Sequence, residues 1–334
     1  MRKIKQIPED FIVKEINNIH LEDIGKYSYF ILKKKNYNSL RAIETISNKL
    51  NIHIKNIGYA GNKDKNAITE QVISIKNGNK TIENLILKDI ELKYLGKGNE
   101  KIFLGNLEGN DFTITIRNLE KKDIEEAKKN KEILMPNYFG PQRFSSKNHL
   151  IGKELVKKNF KEAIKLILET NSDFNDRIKA HLEKNPNDLV AALKTIPLKL
   201  SKLYVHSYQS HLFNKTLDEY IKINENKKHN LDEKIPIIGF GTEFEDNEIN
   251  NITKKFLEEE KITPRDFIIR QIPGLSSEGD ERNAFTTIKN FKIIKEDKDD
   301  LNKGKKKVTI SFSLPKGSYA TVLIENLFSK TRLL

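Results

Sequence analysis

The feature that most constrains this chain is a change of hydrophobic period along its length. Near the C-terminal end Val308, Ile310, Phe312 and Leu314 alternate with polar residues, the two-residue period of a half-buried strand. Phe112, Ile114 and Ile116 alternate in the same way beyond the turn residues Gly109-Asn110. Short apolar runs of strand type stand at Phe11-Ile12-Val13, Tyr29-Phe30-Ile31-Leu32 and Val72-Ile73-Ser74-Ile75. Among them a helix is predicted from Leu40, Ile43, Ile46 and Leu50, with Ser39 as its N-cap. From about Lys147 to Asn224 the period becomes helical. Leu155, Val156, Phe160, Ala163, Ile164 and Ile167 mark stacked amphipathic helices, and Leu203 to Ile223 reads as one long helix. Strand-type residues return at Ile235-Pro236-Ile237-Ile238, and a last helix carries Ala320, Leu323, Ile324 and Leu327. The order is α+β, then helical, then α+β again, as when one domain is inserted into a surface loop of another. A chain of 334 residues has material for two such domains.

Charge narrows the partner. Sixty Lys and Arg against 47 Asp and Glu leave a formal charge of +13, which suits a molecule bearing many phosphates. The chain is also rich in Lys, Ile and Asn, as an A+T-rich genome would produce, so charge alone leaves codon bias open as its source. Cysteine is absent, which excludes disulfides, thiolate metal sites and a cysteine nucleophile. No apolar run approaches a membrane span and the opening residues show no signal-type stretch, so the cytoplasm is the expected compartment. The mixed charges from Glu296 to Lys307 read as an exposed hairpin or linker rather than a metal site.

Four segments concentrate residues able to do chemistry. Gly58 to Gln71 sets two glycines beside Asp64, on a tight loop where backbone can approach a ligand. Lys63 and Lys65 place opposite charge on either side of that carboxylate; read alone, the segment is a turn with a charged tip before it is a site. Pro136 to Phe144 holds three aromatics, an Asn and an Arg on a rigid piece. These types supply a stacking face, edge hydrogen bonds and a phosphate contact for an unstacked base, or else an aromatic plug under a loop. Ser207 to Asn214 is polar and aromatic on a helix, with His206 and His211 five apart, poor spacing for two metal ligands on one face. Leu314 to Thr321 is a strand-to-helix turn whose Gly317 and Ser318 would open a helix N-terminus beside Tyr319, suited to a phosphate or base edge or to an ordinary cap.

Taken in this order the segments resemble the TruD family of tRNA pseudouridine synthases, in an archaeal-type form. The likeness is carried by Pro8-Glu9-Asp10-Phe11, Tyr59 to Gln71, Leu104 to Phe112, Asn137 to Phe144 and Leu314 to Thr321. It implies an α+β fold: a pseudouridine synthase catalytic core, a mixed and largely antiparallel sheet with helices, from residues 1–160 and 294–334. An inserted α/β TRUD domain would fill 161–293. The resemblance further implies isomerisation of uridine at position 13 of tRNA by a cytoplasmic monomer needing no cofactor or metal. The family's nucleophile falls on Asp64, and its basic partner on Lys5. Substrate contacts fall on Phe11, Asn137 and Tyr319, and the aromatic place beside the base on Phe139. A carboxylate suits this role because it can attack a sugar or pyrimidine carbon covalently. Ser145-Ser146 stand where the family often has Gly. The competing reading is a non-catalytic RNA-binding or RNA-folding protein built on the same residues. A metal-dependent nuclease would need a carboxylate cluster or His motif that the chain lacks.

Overall fold

In the computed structural model, residues 2–129, 134–170 and 172–328 are described. In chain order the strands and helices begin β1 (Phe11–Ile16), β2 (Tyr27–Lys35), α1 (Ser39–Leu50), β3 (Ile57–Tyr59), β4 (Ile68–Lys76), β5 (Ile90–Gly98), β6 (Gly109–Leu119) and α2 (Lys121–Lys129). There follow β7 (Leu134–Pro136), α3 (Asn148–Val156), α4 (Phe160–Leu168), α5 (Asn175–Lys184), α6 (Leu189–Lys194), α7 (Leu198–Ile223), β8 (Lys234–Ile237) and α8 (Glu248–Glu260). The chain continues through β9 (Asp280–Asn283), β10 (Phe285–Thr287), β11 (Lys289–Lys298), β12 (Lys306–Pro315) and α9 (Ala320–Leu327). Two compact units result. Of the described residues, one holds 2–129, 287–320 and 327–328, the other 134–286 and 321–326. Residues 134–160, placed with the core from sequence, therefore pack with the second unit.

The first unit is built on one sheet in the order β11-β12-β6-β1-β4-β2-β5, with β3 added on β4. Only the β1–β4 pair is parallel, Ile12 standing opposite Ile68; the other pairs in the sheet are antiparallel. The alternation seen in β12 is borne out, since Val308, Ile310, Phe312 and Leu314 are all buried. Ala42, Ile43 and Ile46 of α1 pack with Phe30, Leu32 and Ile73 of the sheet, while Leu40 lies outside the stripe at 48% exposure. Asn38, not Ser39, caps α1, accepting a hydrogen bond from the Arg41 N–H. Ser39 is instead buried and bonded elsewhere, to the loop that carries Asp64.

The segment from Glu296 to Lys307 does form a hairpin, but its tip is not simply solvated. Asp299 is buried there and meets the Arg117 guanidinium at 2.9 Å; Arg117 also binds Asp10 at 2.8 Å and Asp300 at 2.8 Å. The N-terminal stretch is laced to the same place. Lys3 and Arg117 exchange backbone hydrogen bonds, and the Asn302 side chain accepts from Lys3 and donates to Gln6. This network fastens the segment bearing Lys5 and Phe11 to the end of β6.

In the second unit α3, α4 and α7 share a core of Ile151, Leu155, Ile164, Val205, Tyr208 and Leu212. Short sheets pair β8 with β9 and β7 with β10. The 26-residue α7 is buried along much of its length, so its neighbours must approach closely. Gly152 of α3 permits this: a Cβ there would stand 2.0 Å from the Tyr204 carbonyl oxygen. Gly152→Ala is expected to force the helices apart and cost about 1–3 kcal/mol. Urea unfolding of the variant measures it, and an unchanged midpoint would contradict the close packing.

Candidate active site

The turn between β3 and β4 carries Asp64, and its rigidity comes from buried partners on three other elements. Ser39, at the first turn of α1, accepts the Lys63 N–H at 2.8 Å and donates to Gln71 Oε1 at 2.9 Å. Gln71 in β4 donates in turn to the Gly61 carbonyl at 3.1 Å. Lys34 of β2, 1% exposed, reaches the carbonyls of Tyr37 at 2.5 Å, Asp64 at 2.9 Å and Lys63 at 3.4 Å. Burial pulls the Lys34 ammonium down to about 8, opposed by the attraction of the Asp64 charge. The Ala60 carbonyl accepts from the Gly105 N–H at 2.7 Å, tying the loop to residues 103–107. Backbone groups thus fix the loop while the Asp64 side chain keeps 27% exposure.

Lys5 stands 3.1 Å from Asp64 Oδ2, the pairing that the resemblance implies. Its backbone takes φ 58, a left-handed conformation unfavourable to a residue with a Cβ, held here by the anchored N-terminal stretch. The same ammonium lies 4.0 Å from the centroid of the Phe11 ring. Phe11 is itself only 2% exposed and meets Phe112 edge-on at 6.1 Å. Lys5, Asp64 and Phe11 are therefore together, with Phe11 forming a floor under the ammonium. Lys63 is not a partner of the Asp64 carboxylate: its ammonium is buried against Glu15 at 2.8 Å and Asn110 at 2.7 Å. Lys65 is exposed. Tyr319, half-buried, directly precedes α9 and follows Gly317, whose φ of 82 makes the turn.

A separate cluster in the second unit gathers the other sequence-selected residues. The Asn137 amide donates to the Asn283 carbonyl at 3.1 Å and accepts from Arg282 at 2.6 Å. Phe139 meets Phe213 edge-on at 5.2 Å, and its backbone is clamped by the Asn214 amide through two hydrogen bonds of 2.9 Å. A cavity of about 340 Å³ opens beside it, lined in part by Tyr138, Phe144, Asn214 and Glu325. Burial pushes the Glu325 carboxyl up. Ser145 takes φ 47, a left-handed conformation that Gly adopts without strain. His211 pairs with His149, ring centroids 4.8 Å apart, and burial chiefly, with the His149 charge, lowers His211 to about 4. Among the described residues no group of three or more His, Asp or Glu is placed to hold a metal ion. No described helix is long and apolar enough to cross a membrane.

Lys34 and Arg282 lie outside the segments the sequence points to, and Gln71 ends one of them with no role legible there. Lys34 continues the two-residue period of Phe30 and Leu32 onto the buried face of β2, the available signal for the first; the others carry none without their partners. Lys34→Met should leave three loop carbonyls without their donor and let Asp64 wander. Amide hydrogen exchange across residues 61–65 should then speed up by about tenfold or more, and unchanged exchange would contradict the clamp.

The model of the family tRNA pseudouridine synthase D (TruD) matches residues 2–180, 171–233 and 223–327. The chain belongs to the TruD family. A tRNA pseudouridine synthase D of Aquifex aeolicus is 32% identical to it, over 98% of each chain. A Methanocaldococcus jannaschii protein named probable tRNA pseudouridine synthase D 2 is 33% identical, over 98% of this chain and 91% of that one. A crystal structure from Methanosarcina mazei, assigned to TruD, superposes with a TM-score of 0.77 at 30% identity, over 99% of this chain and 94% of that one. The α+β architecture with a mostly antiparallel sheet is thus that of a TruD isomerase.

Proposed function

We propose that this protein converts uridine to pseudouridine in tRNA, at position 13 of the D-arm, with Asp64 as the covalent nucleophile. One observation carries the reading: an accessible carboxylate 3.1 Å from an ammonium, on a loop locked by buried hydrogen bonds, in a chain of the TruD family. In the reaction the bond from uracil nitrogen 1 to the ribose breaks, the base turns, and a bond from carbon 5 to the ribose forms. A proton leaves carbon 5 and one arrives at nitrogen 1, so atoms and electrons balance with no redox partner. Asp64 forms an ester to a sugar or pyrimidine carbon and is later released, while Lys5 orients it. The unit holding residues 1–133 and 287–320 is read as the catalytic core, and that holding 134–286 as the inserted TRUD domain.

Phe11, Asn137, Phe139 and Tyr319 are read as substrate contacts. The uridine must leave its helix at a cost of a few kcal/mol, and stacking at about 1–3 kcal/mol per base offsets this. The +13 charge holds tRNA through its phosphates, so affinity should fall steeply with salt. The test is incubation of the purified protein with unmodified tRNA and carbodiimide mapping of pseudouridine. Product at one D-arm uridine supports the proposal; tight, salt-sensitive binding without product on any tRNA would favour the binding-protein reading.

A further inference from the structure

Arg282 of β9 is half-buried between exposed neighbours and turns onto two residues of unlike chemistry. Its Nη2 donates to Asn137 Oδ1 at 2.6 Å and its Nε to the Asn137 carbonyl at 3.1 Å. Its guanidinium carbon lies 4.3 Å from the centroid of Phe139 and 5.7 Å from that of Phe213. The next residue completes the grip, because the Asn283 carbonyl accepts from Asn137 Nδ2 at 3.1 Å. A guanidinium therefore holds the oxygen end of the amide and a carbonyl holds its nitrogen end. Turning the amide over would set N–H against N–H and oxygen against oxygen, so only one orientation survives.

We propose that Arg282 is a positioning residue that fixes the polarity of the Asn137 amide and the tilt of the Phe139 ring, and thereby makes the site read uracil rather than cytosine. This rests on the reading of Asn137 and Phe139 as base contacts. Uracil offers a donor at nitrogen 3 between two carbonyls; cytosine offers an acceptor there beside an amino group. An amide able to turn over matches either pattern by exchanging its oxygen and nitrogen, whereas a locked amide matches one. The planar fork explains why the residue is Arg, since an ammonium cannot bond two oxygens of one residue and also lie flat on a ring.

The experiment compares wild type, Arg282→Ala, Arg282→Lys, Asn137→Ala and the double variant Arg282→Ala/Asn137→Ala on tRNA, with melting and filter binding alongside. A tRNA carrying cytidine at the target serves as competitor. Arg282→Ala is expected to lose about 100-fold in kcat with KM and melting nearly unchanged. Cytidine tRNA should then compete about as well as the uridine form, unlike in the wild type. Free guanidinium ion should restore part of the activity of Arg282→Ala, and the double variant should lose less than the product of the two single losses, because part of the Arg282 effect passes through Asn137; fully multiplicative losses would overturn the inference. Arg282→Lys, which keeps the charge and the fold, should recover little. A raised KM at unchanged kcat, with the salt slope reduced by about one, would make Arg282 a phosphate ligand and overturn the inference. An impaired Asn137→Ala beside an unaffected Arg282→Ala overturns this inference alone. A fully active Asn137→Ala overturns the base-contact reading, and this inference with it.

Discussion

Asp64→Asn should abolish pseudouridine formation while leaving fold and tRNA binding intact. The change replaces one oxygen by nitrogen and keeps the shape, but a carboxamide is a poor nucleophile, so turnover should fall by about four orders of magnitude or more. Folding should survive because the bonds that hold the loop go to backbone atoms. The Lys63 N–H is taken by Ser39, and the carbonyls of Lys63 and Asp64 by Lys34. The Lys5–Asp64 pair is partly exposed on both sides, and such pairs contribute about 0–1 kcal/mol. Melting temperature and filter-binding affinity should therefore match the wild type. Carbodiimide mapping on tRNA decides the matter. Product from Asp64→Asn at more than a trace would place the nucleophile elsewhere.

Arg117→Met should produce the largest loss of stability in the first unit. Its guanidinium is nearly enclosed, facing Asp10, Asp299 and Asp300, and removing it leaves the buried carboxylates of Asp10 and Asp299 without their counter-charge. Breaking a buried pair in this way costs about 3–5 kcal/mol. The pH dependence identifies the cause. Burial alone would raise the Asp299 carboxyl, but hydrogen bonds from the Asn118 and Leu301 N–H groups, Asn302 and Arg117 bring it down to about 2. A depressed carboxyl contributes stability that is complete above its unfolded value of about 4 and is lost as pH falls toward 2. Without the guanidinium, the variant's Asp299 takes up its proton higher in that window and no longer holds an unpaired buried charge. The wild type meanwhile loses its advantage over the unfolded chain, so the gap between them should narrow. Urea unfolding from pH 7 to pH 2.5 measures it; a constant gap would show that Arg117 acts by packing alone. Activity at pH 7 should fall too, because the same network anchors the stretch that carries Lys5.

Much of the fold was legible where one residue's environment repeats along the chain. The alternation of β12 and β6 and the helical period of α4 are consequences of one buried face, and such a face leaves its pattern in the local sequence. The motif around Asp64 was legible for a similar reason, since its glycines and charges are neighbours in sequence. Where the reading went astray, the cause was a partner that sequence distance concealed. Ser39 suited a cap, but the buried Gln71 and Lys63 N–H claimed its hydroxyl, leaving the cap to Asn38. Lys63 adjoins Asp64 in sequence, yet Glu15 in the neighbouring β1 takes its ammonium. Asp299 lies in a run of mixed charge, yet Arg117, 182 residues away in sequence, encloses it.

By itself the sequence determined the strand-and-helix order, the exclusion of cysteine chemistry and the family motifs that point to a carboxylate acting on RNA. These depend on residue type and short spacing, which the chain states directly. Only the tertiary structure decided which ammonium meets Asp64, which buried groups hold its loop still, and which guanidinium grips Asn137 from 145 residues away. Those contacts join strands and turns distant in sequence, where orientation at the scale of an ångström rather than composition selects the partner.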